Sequence, residues 1–450
     1  MAKRNNTYVC NSCGASQPGW SGKCHTCGEW NTIVETVAED SVMLPNSGAT
    51  TGKKLHIANM ASHEQEPRIS LETSDINTVL GGGLVPGGVV LLAGEPGIGK
   101  STLLMQLAGQ IAKKGKVLYI SGEESAEQVS ARASRLGIAD NNLFFASSSS
   151  ANDIASTISG DKFTAVIVDS IQTIALKELN SGLGTISQIT NSTSLLSMQA
   201  KANNTCLILV GHVTKEGSIA GPKVLEHVVD VVLHLEGNRY GGLRVLRSLK
   251  NRYGSTNEAA IFEMKDTGLA IVDNPSAALL EERQVVDGSV VLATLEGSRP
   301  VLVEVQALVN TTNYGYPKRA TSGYDLNRLN LLIAMLERRT KLKLQDKDVY
   351  INIVGGLKIS DPAADLAIIM AVASAAKGMQ LKEDAAVFGE LGLSGEIRRV
   401  SWQEKRLKEI EKLGFASAIG PRLQKGTKKP TWYKEVTNIR DALNHFLTKG

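Results

Sequence analysis

The chain has 450 residues, enough for two or three domains, with 43 glycines and only 4% aromatic residues. That balance suits an α/β protein rich in tight loops. Its net charge of +4 is uneven: residues 398–450 hold 13 Lys/Arg against 5 Asp/Glu, an excess of +8, and the rest sums to −4. Such asymmetry points to nucleic acid or to a solvated basic tail. The basic N-terminus is followed by no apolar segment of the signal-peptide kind. No apolar run approaches the roughly 18 residues of a membrane span. The expectation is therefore a cytoplasmic protein with no membrane partner.

In chain order, the first signal is four cysteines. Cys10 and Cys13 form one C-x-x-C knuckle and Cys24 and Cys27 a second, ten residues later. Glycine follows each, at Gly14 and Gly28. Four thiolates at this spacing predict a closed tetrahedral zinc site in a module over 1–34, structural rather than catalytic. So small a module has little core, so the metal would supply its folding free energy. Residues 35–68 show no periodicity and read as a linker.

An ATPase core is expected over 69–273. The apolar run 89–93 predicts a buried strand, and 101–114 a helix. Between them lies Gly94-Glu95-Pro96-Gly97-Ile98-Gly99-Lys100-Ser101, the G-x-x-x-x-G-K-[ST] phosphate loop, with Thr102 next in the helix. Glycines let backbone N–H groups close around phosphate oxygens. Lys100 is expected on the β/γ-phosphates and Ser101 on magnesium, so ATP and Mg²⁺ are the implied cofactors and Zn²⁺ the third. Strands at 116–120, 143–146 and 165–170 alternate with helices at 125–136 and 151–158, as a parallel sheet requires. The third strand closes on Asp169, the Walker B carboxylate expected to hold magnesium through water. Glu123 and Glu124, just past the strand 116–120, are candidates to activate the attacking water, Glu123 preferred. The competing reading makes both caps of the following helix. The strand 206–211 leads into His212, a candidate γ-phosphate sensor or a structural histidine.

The ordered set of Leu80-Gly81-Gly82-Gly83, the phosphate loop, Ser121-Gly122-Glu123-Glu124-Ser125, Asp169 and Gly211-His212-Val213-Thr214-Lys215-Glu216-Gly217 resembles the RecA-type ATPases. More narrowly, with Lys250-Asn251-Arg252-Tyr253-Gly254, it is similar to the RadA (Sms) family of bacterial DNA repair and recombination proteins. The resemblance implies an ATP-driven DNA motor of helicase type that promotes branch migration on single-stranded or branched DNA. It further implies a homo-oligomeric ring, a hexamer, and a RecA-type recombinase as partner. Nucleotide would bind between subunits, with Lys250 or Arg252 reaching a neighbour's γ-phosphate. Lys215 and Lys223, in a loop lining the DNA channel, and Arg239 with Tyr240 in a second loop would contact DNA.

A junction is expected over 274–284, turn-rich at Asp273-Asn274-Pro275-Ser276, and a last domain over 285–450. Its strands at 289–296, 300–309 and 349–354 and helices at 325–340 and 363–377 look like the α+β proteolytic domain of the Lon protease. The resemblance aligns Ala363 with that family's nucleophilic serine and Glu404 with its lysine, so proteolysis is not expected. Basic residues after 398, Lys405 and Arg406 among them, are expected to contact DNA phosphates, and Trp402, Trp432 and Tyr433 add aromatic surface. The competing functions are a clock-protein-like ATPase scaffold and an ATP-dependent protease built on Ser360 and Lys405.

Overall fold

The structure is a computed structural model, and it describes residues 7–10, 15–17, 19–26, 28–36, 67–212, 222–237, 243–312, 315–381 and 384–449. Two compact units emerge: residues 1–235 with 248–256 and 265–269, and residues 236–247 and 257–264 with 270–450.

In the first unit, β1 (Thr7–Cys10), β2 (Ser16–Gln17) and β3 (Ile33–Thr36) form a small antiparallel sheet in the order β2-β1-β3. Cys10, Cys24 and Ile33 are its only clustered buried residues among those described. After α1 (Ser74–Leu80), strand and helix alternate as expected: β4 (Val89–Gly94), α2 (Lys100–Ala112), β5 (Val117–Ser121), α3 (Ala126–Arg135), β6 (Leu143–Ser147), α4 (Ala151–Gly160), β7 (Ala165–Asp169), α5 (Ile186–Ala202), β8 (Cys206–His212), the short α6 (Pro222–Leu225) and β9 (Val231–Gly237). The strands pair in parallel in the order β9-β4-β8-β7-β5-β6. β4, β5 and β7 are buried along their whole length, the mark of a sheet covered on both faces. This is why they read in the sequence as unbroken apolar runs.

The second unit contains β10 (Leu243–Asn251) up to Arg247 and β11 (Ala259–Lys265) up to Met264, an antiparallel pair. β12 (Gly268–Ile271) follows, then α7 (Pro275–Leu280). α7 corrects the expected turn: Asn274 caps it by accepting from the Ala277 amide, and Pro275 takes the first helical position, where its missing N–H costs nothing. The same Asn-Pro-Ser run that signals a turn also starts a helix.

β13 (Ser289–Glu296), β14 (Arg299–Thr311), β15 (Arg319–Ser322), α8 (Leu326–Thr340), β16 (Lys347–Ile353), α9 (Ala364–Lys377), β17 (Met379–Leu381), β18 (Ala385–Val387), β19 (Glu390–Leu391), β20 (Ile397–Arg398), α10 (Gln403–Lys412), β21 (Ser417–Gly420), β22 (Tyr433–Glu435), α11 (Ile439–Phe446) and β23 (Leu447–Lys449) complete it. Seven of these strands form one mixed sheet, β15-β16-β14-β13-β18-β21-β22. Asp325 caps α8 by accepting from the Arg328 amide. Every residue of α9 from Ala364 to Ser374 is buried, so apart from Asp365 and Ser374 its pattern is apolar on every face, as a core helix requires.

Candidate nucleotide site

Register brings the site together. Pairing of β4 with β8 sets Gly94 beside His212, and pairing of β5 with β7 sets Ser121 beside Asp169. All four lie at the carboxyl ends of parallel strands, where such sheets form their ligand crevice. Gly97 and Gly99 have φ of 77° and 112°, a region costly for any side chain. At Gly94 a Cβ would lie 2.5 Å from the Leu235 carbonyl oxygen, so close approach of β9 also requires glycine there. The buried Lys100 donates from Nζ to the Gly94 and Glu95 carbonyl oxygens at 2.8 and 3.0 Å. These bonds aim the ammonium into the loop's own hollow.

Asp169 is nearly buried, and Tyr119 on β5 donates its hydroxyl to Oδ2 at 2.7 Å. Burial, and then the Asp169 charge, push the Tyr119 pKa far above its ordinary value. The tyrosine therefore stays a donor and fixes the carboxylate's orientation. Sequence reading passed over Tyr119; its hydroxyl within an apolar strand was the available signal. Ser170 Oγ, Gln172 Oε1 and His212 Nδ1 are buried with no hydrogen-bond partner among the described residues. Their hydrogen-bonding capacity is open to a ligand or to water. Burial, and then the Lys100 charge, lower the His212 pKa, with Asp169 and Glu123 opposing. His212 thus feels the phosphate-loop lysine and both carboxylates, which a purely structural histidine elsewhere would not.

The two glutamates part company here. Neither caps α3: Ser125 does, in a capping box with Gln128. Glu124 is ion-paired with Arg132 of α3. Glu123 is exposed and unclamped by that pair. Lys250 and Arg252 differ as well. Lys250 Nζ donates to the carbonyl oxygens of Val229, at 2.9 Å, and Glu226; burial, then the Arg252 charge, lower its pKa. Arg252 is about half exposed and pairs with Asp230 at 3.0 Å.

Of the expected zinc ligands, Cys13 and Cys27 lie outside the described residues. Cys10 and Cys24 are buried, and their surroundings match each other. The Cys10 amide donates to Ala15 O and the Cys24 amide to Glu29 O, both at 2.9 Å. The Thr26 amide points at Cys24 Sγ at 3.4 Å, the kind of N–H···S contact that stabilises a thiolate. The described half of the module fits a thiolate-bound metal.

Among expected DNA contacts, Lys215 and Arg239, with Tyr240, lie outside the described residues, and Lys223 is described only as backbone of α6. Arg406 is a correction. It is 1% exposed, ion-paired with Asp361 at 2.7 Å, and donates to Ala293 O at 2.6 Å and Ser401 O at 3.2 Å. A guanidinium enclosed this way cannot meet a phosphate backbone; composition counted its charge without its depth. Lys405 donates to Ser298 O at 3.1 Å and lies 4.2 Å over the Trp402 ring. Trp402 is exposed, as expected, but Tyr433 is buried and stacks on Phe388.

Ala363 is fully buried, its amide donating to Asp361 Oδ1 at 3.0 Å. Glu404 accepts from Thr427 Oγ1 at 3.2 Å. Ser360 is exposed, and no hydrogen bond joins it to Lys405 among the described residues. Neither position offers an activated nucleophile.

A glycine cradle, a lysine turned into it, a metal-type carboxylate on the adjacent pair of strands and a half-buried histidine define a P-loop ATPase of RecA-like fold. Residues 62–218 match the family described as AAA domain, residues 8–35 the rubredoxin metal binding domain and residues 308–423 subunit ChlI of Mg-chelatase. DNA repair protein RadA of Pseudomonas aeruginosa is 45% identical over 449 residues, 99% of each chain. DNA repair protein RadA of Bacillus subtilis is 45% identical over 457 residues, 99% of this chain and 100% of its own. The Listeria monocytogenes protein of the same name is 46% identical, covering 95% of this chain and 94% of its own. The chain belongs to the RadA family of DNA repair proteins. Among the described residues, no helix is long and apolar enough to cross a membrane.

Proposed function

We propose that this protein is an ATP-driven motor acting on single-stranded and branched DNA in recombinational repair. The observation that carries the reading is the meeting of Gly94, Lys100, Glu123, Asp169 and His212 at adjacent strand ends. Lys100 and the backbone of residues 94–102 hold the triphosphate. Ser101 and Asp169 would hold magnesium, with Tyr119 fixing the carboxylate; the ion would supply positive charge to the phosphates during transfer. Glu123 takes the proton of the attacking water, because Glu124 is already engaged by Arg132. His212, joined through β8 to the segment bearing Lys215, couples the state of the γ-phosphate to the DNA-facing loops. Lys215, Lys223, Arg239 and Lys405 contact the phosphate backbone; Arg406 is withdrawn from that set.

Subunits associate as a hexameric ring in the cytoplasm, each nucleotide shared with the neighbour's Arg252, and a RecA-type recombinase is the protein partner. Cys10, Cys13, Cys24 and Cys27 hold a structural zinc ion. The segment 285–450 is a Lon-like platform without protease activity.

ATP turnover should rise several-fold with single-stranded DNA, and the protein should displace a strand from a fork. Lys100→Ala should lose both while keeping zinc and ring. A DNA-indifferent ATPase without strand displacement would favour the clock-protein-like scaffold instead.

A further inference from the structure

Asp230 is 4% exposed, and donors converge on it. It accepts from the Val89 amide at 3.1 Å, from Arg252 at 3.0 Å and from the Tyr253 hydroxyl, and it pairs with Lys201 at 3.4 Å. Burial and the Asp230 charge push Tyr253 up to about 12, so its hydroxyl stays a donor. Lys201 comes from the last turn of α5 and Arg252 from the residue just past β10. One inward carboxylate therefore holds two cations from distant parts of the chain side by side. Both keep about half their side-chain surface in solvent, 48% for Lys201 and 53% for Arg252. One negative charge cannot neutralise two positive ones, so the outward face of this cluster keeps a net positive charge that suits an anion.

Its position excludes the chain's own nucleotide as the anion. Val89 opens β4 and Gly94 closes it; five steps at about 3.3 Å separate the cluster from the phosphate loop by roughly 16 Å. Lys250, by contrast, turns inward to the Val229 and Glu226 carbonyls and does not share this outward face.

We propose that Lys201 acts with Arg252 on the triphosphate bound by the neighbouring subunit, and that Asp230 is the positioning residue that holds the pair. This rests on the shared-pocket reading above. Two cations converging on one phosphate group stabilise its charge more than one does, and a fixed carboxylate between them removes the entropy of aiming two long side chains.

Lys201→Ala should lower ATP turnover about tenfold or more, and Lys201→Arg should restore most of it. Lys201→Gln, which keeps the side chain's length, guards against a folding defect and should match Lys201→Ala. The decisive measurement mixes subunits. Lys201→Ala and Lys100→Ala proteins, each poorly active alone, should regain turnover when co-assembled, because intact Lys201 of one then faces intact Lys100 of the next. Lys100→Ala with Arg252→Ala is the parallel mixture. Recovery in that mixture but not in the Lys201→Ala one, or wild-type turnover by Lys201→Gln, overturns this proposal and leaves the shared pocket standing. Failure of both mixtures overturns the shared pocket and the proposal together.

Discussion

The ends of β7 and of β13 present the same problem and solve it oppositely. At the first, Asp169 receives one protein hydroxyl, from Tyr119, and Ser170, Gln172 and His212 keep buried polar atoms without partners among the described residues. At the second, Asp361 receives Arg406, Thr294 Oγ1, the Leu295 amide and the Ala363 amide. The first carboxylate has acceptor capacity left for a ligand; the second is saturated by its own chain. A protein site reads as functional when its polar groups are oriented but incompletely satisfied, and as structural when they close on one another.

Substitution should separate the two in kind. At the nucleotide site the largest loss should come from Glu123→Gln, about 10²- to 10⁴-fold in ATP turnover with little change in melting temperature. Glu124→Gln should cost far less turnover, since its carboxylate is held by Arg132. Equal losses in steady-state ATP hydrolysis would erase the distinction drawn between the two glutamates.

Next in size, Arg406→Ala should destabilise the second unit by about 3–5 kcal/mol, because a cavity would replace the buried guanidinium and the largely enclosed Asp361 would lose its counter-charge. DNA affinity measured below the melting transition should be unchanged. Restoring a serine by Ala363→Ser should yield no peptide hydrolysis, as the aligned base position is Glu404 and the amine of Lys405 is engaged by the Ser298 carbonyl. Cleavage of a fluorogenic peptide by that variant would show the second site to be dormant rather than closed.

The smallest effect concerns pH. Glu296 is 2% exposed, ion-paired with Arg247, which also pairs with Glu236 at 2.5 Å. Burial raises its pKa to about 7, Arg247 pulls it down, and Glu236 and Asp361 push it up again. The folded carboxyl keeps its proton in a range where the unfolded one has lost it. Its contribution is therefore full below about pH 4.5 and is lost as pH rises through about 7, worth roughly 2–4 kcal/mol. Thermal melts of Glu296→Gln across that window should show a flatter dependence than the parent. An unchanged slope would move the titration elsewhere.

The legible parts of this protein were those whose chemistry is local. A phosphate loop needs its glycines and lysine at fixed intervals along one backbone, so Gly94 to Lys100 announce themselves wherever the strand and helix fall. The cysteine knuckles and the wholly buried strands β4, β5 and β7 follow the same logic of period and spacing. What the folded chain alone decided depends on residues far apart in sequence. Asp230 gathers Val89, Lys201 and Arg252; Tyr119 meets Asp169 across two strands; Arg406 turns inward to Asp361 instead of outward to solvent. A charge in a sequence carries its sign but neither its depth nor its partner. Burial sets both, because a charge removed from water must find its counter-charge within the protein.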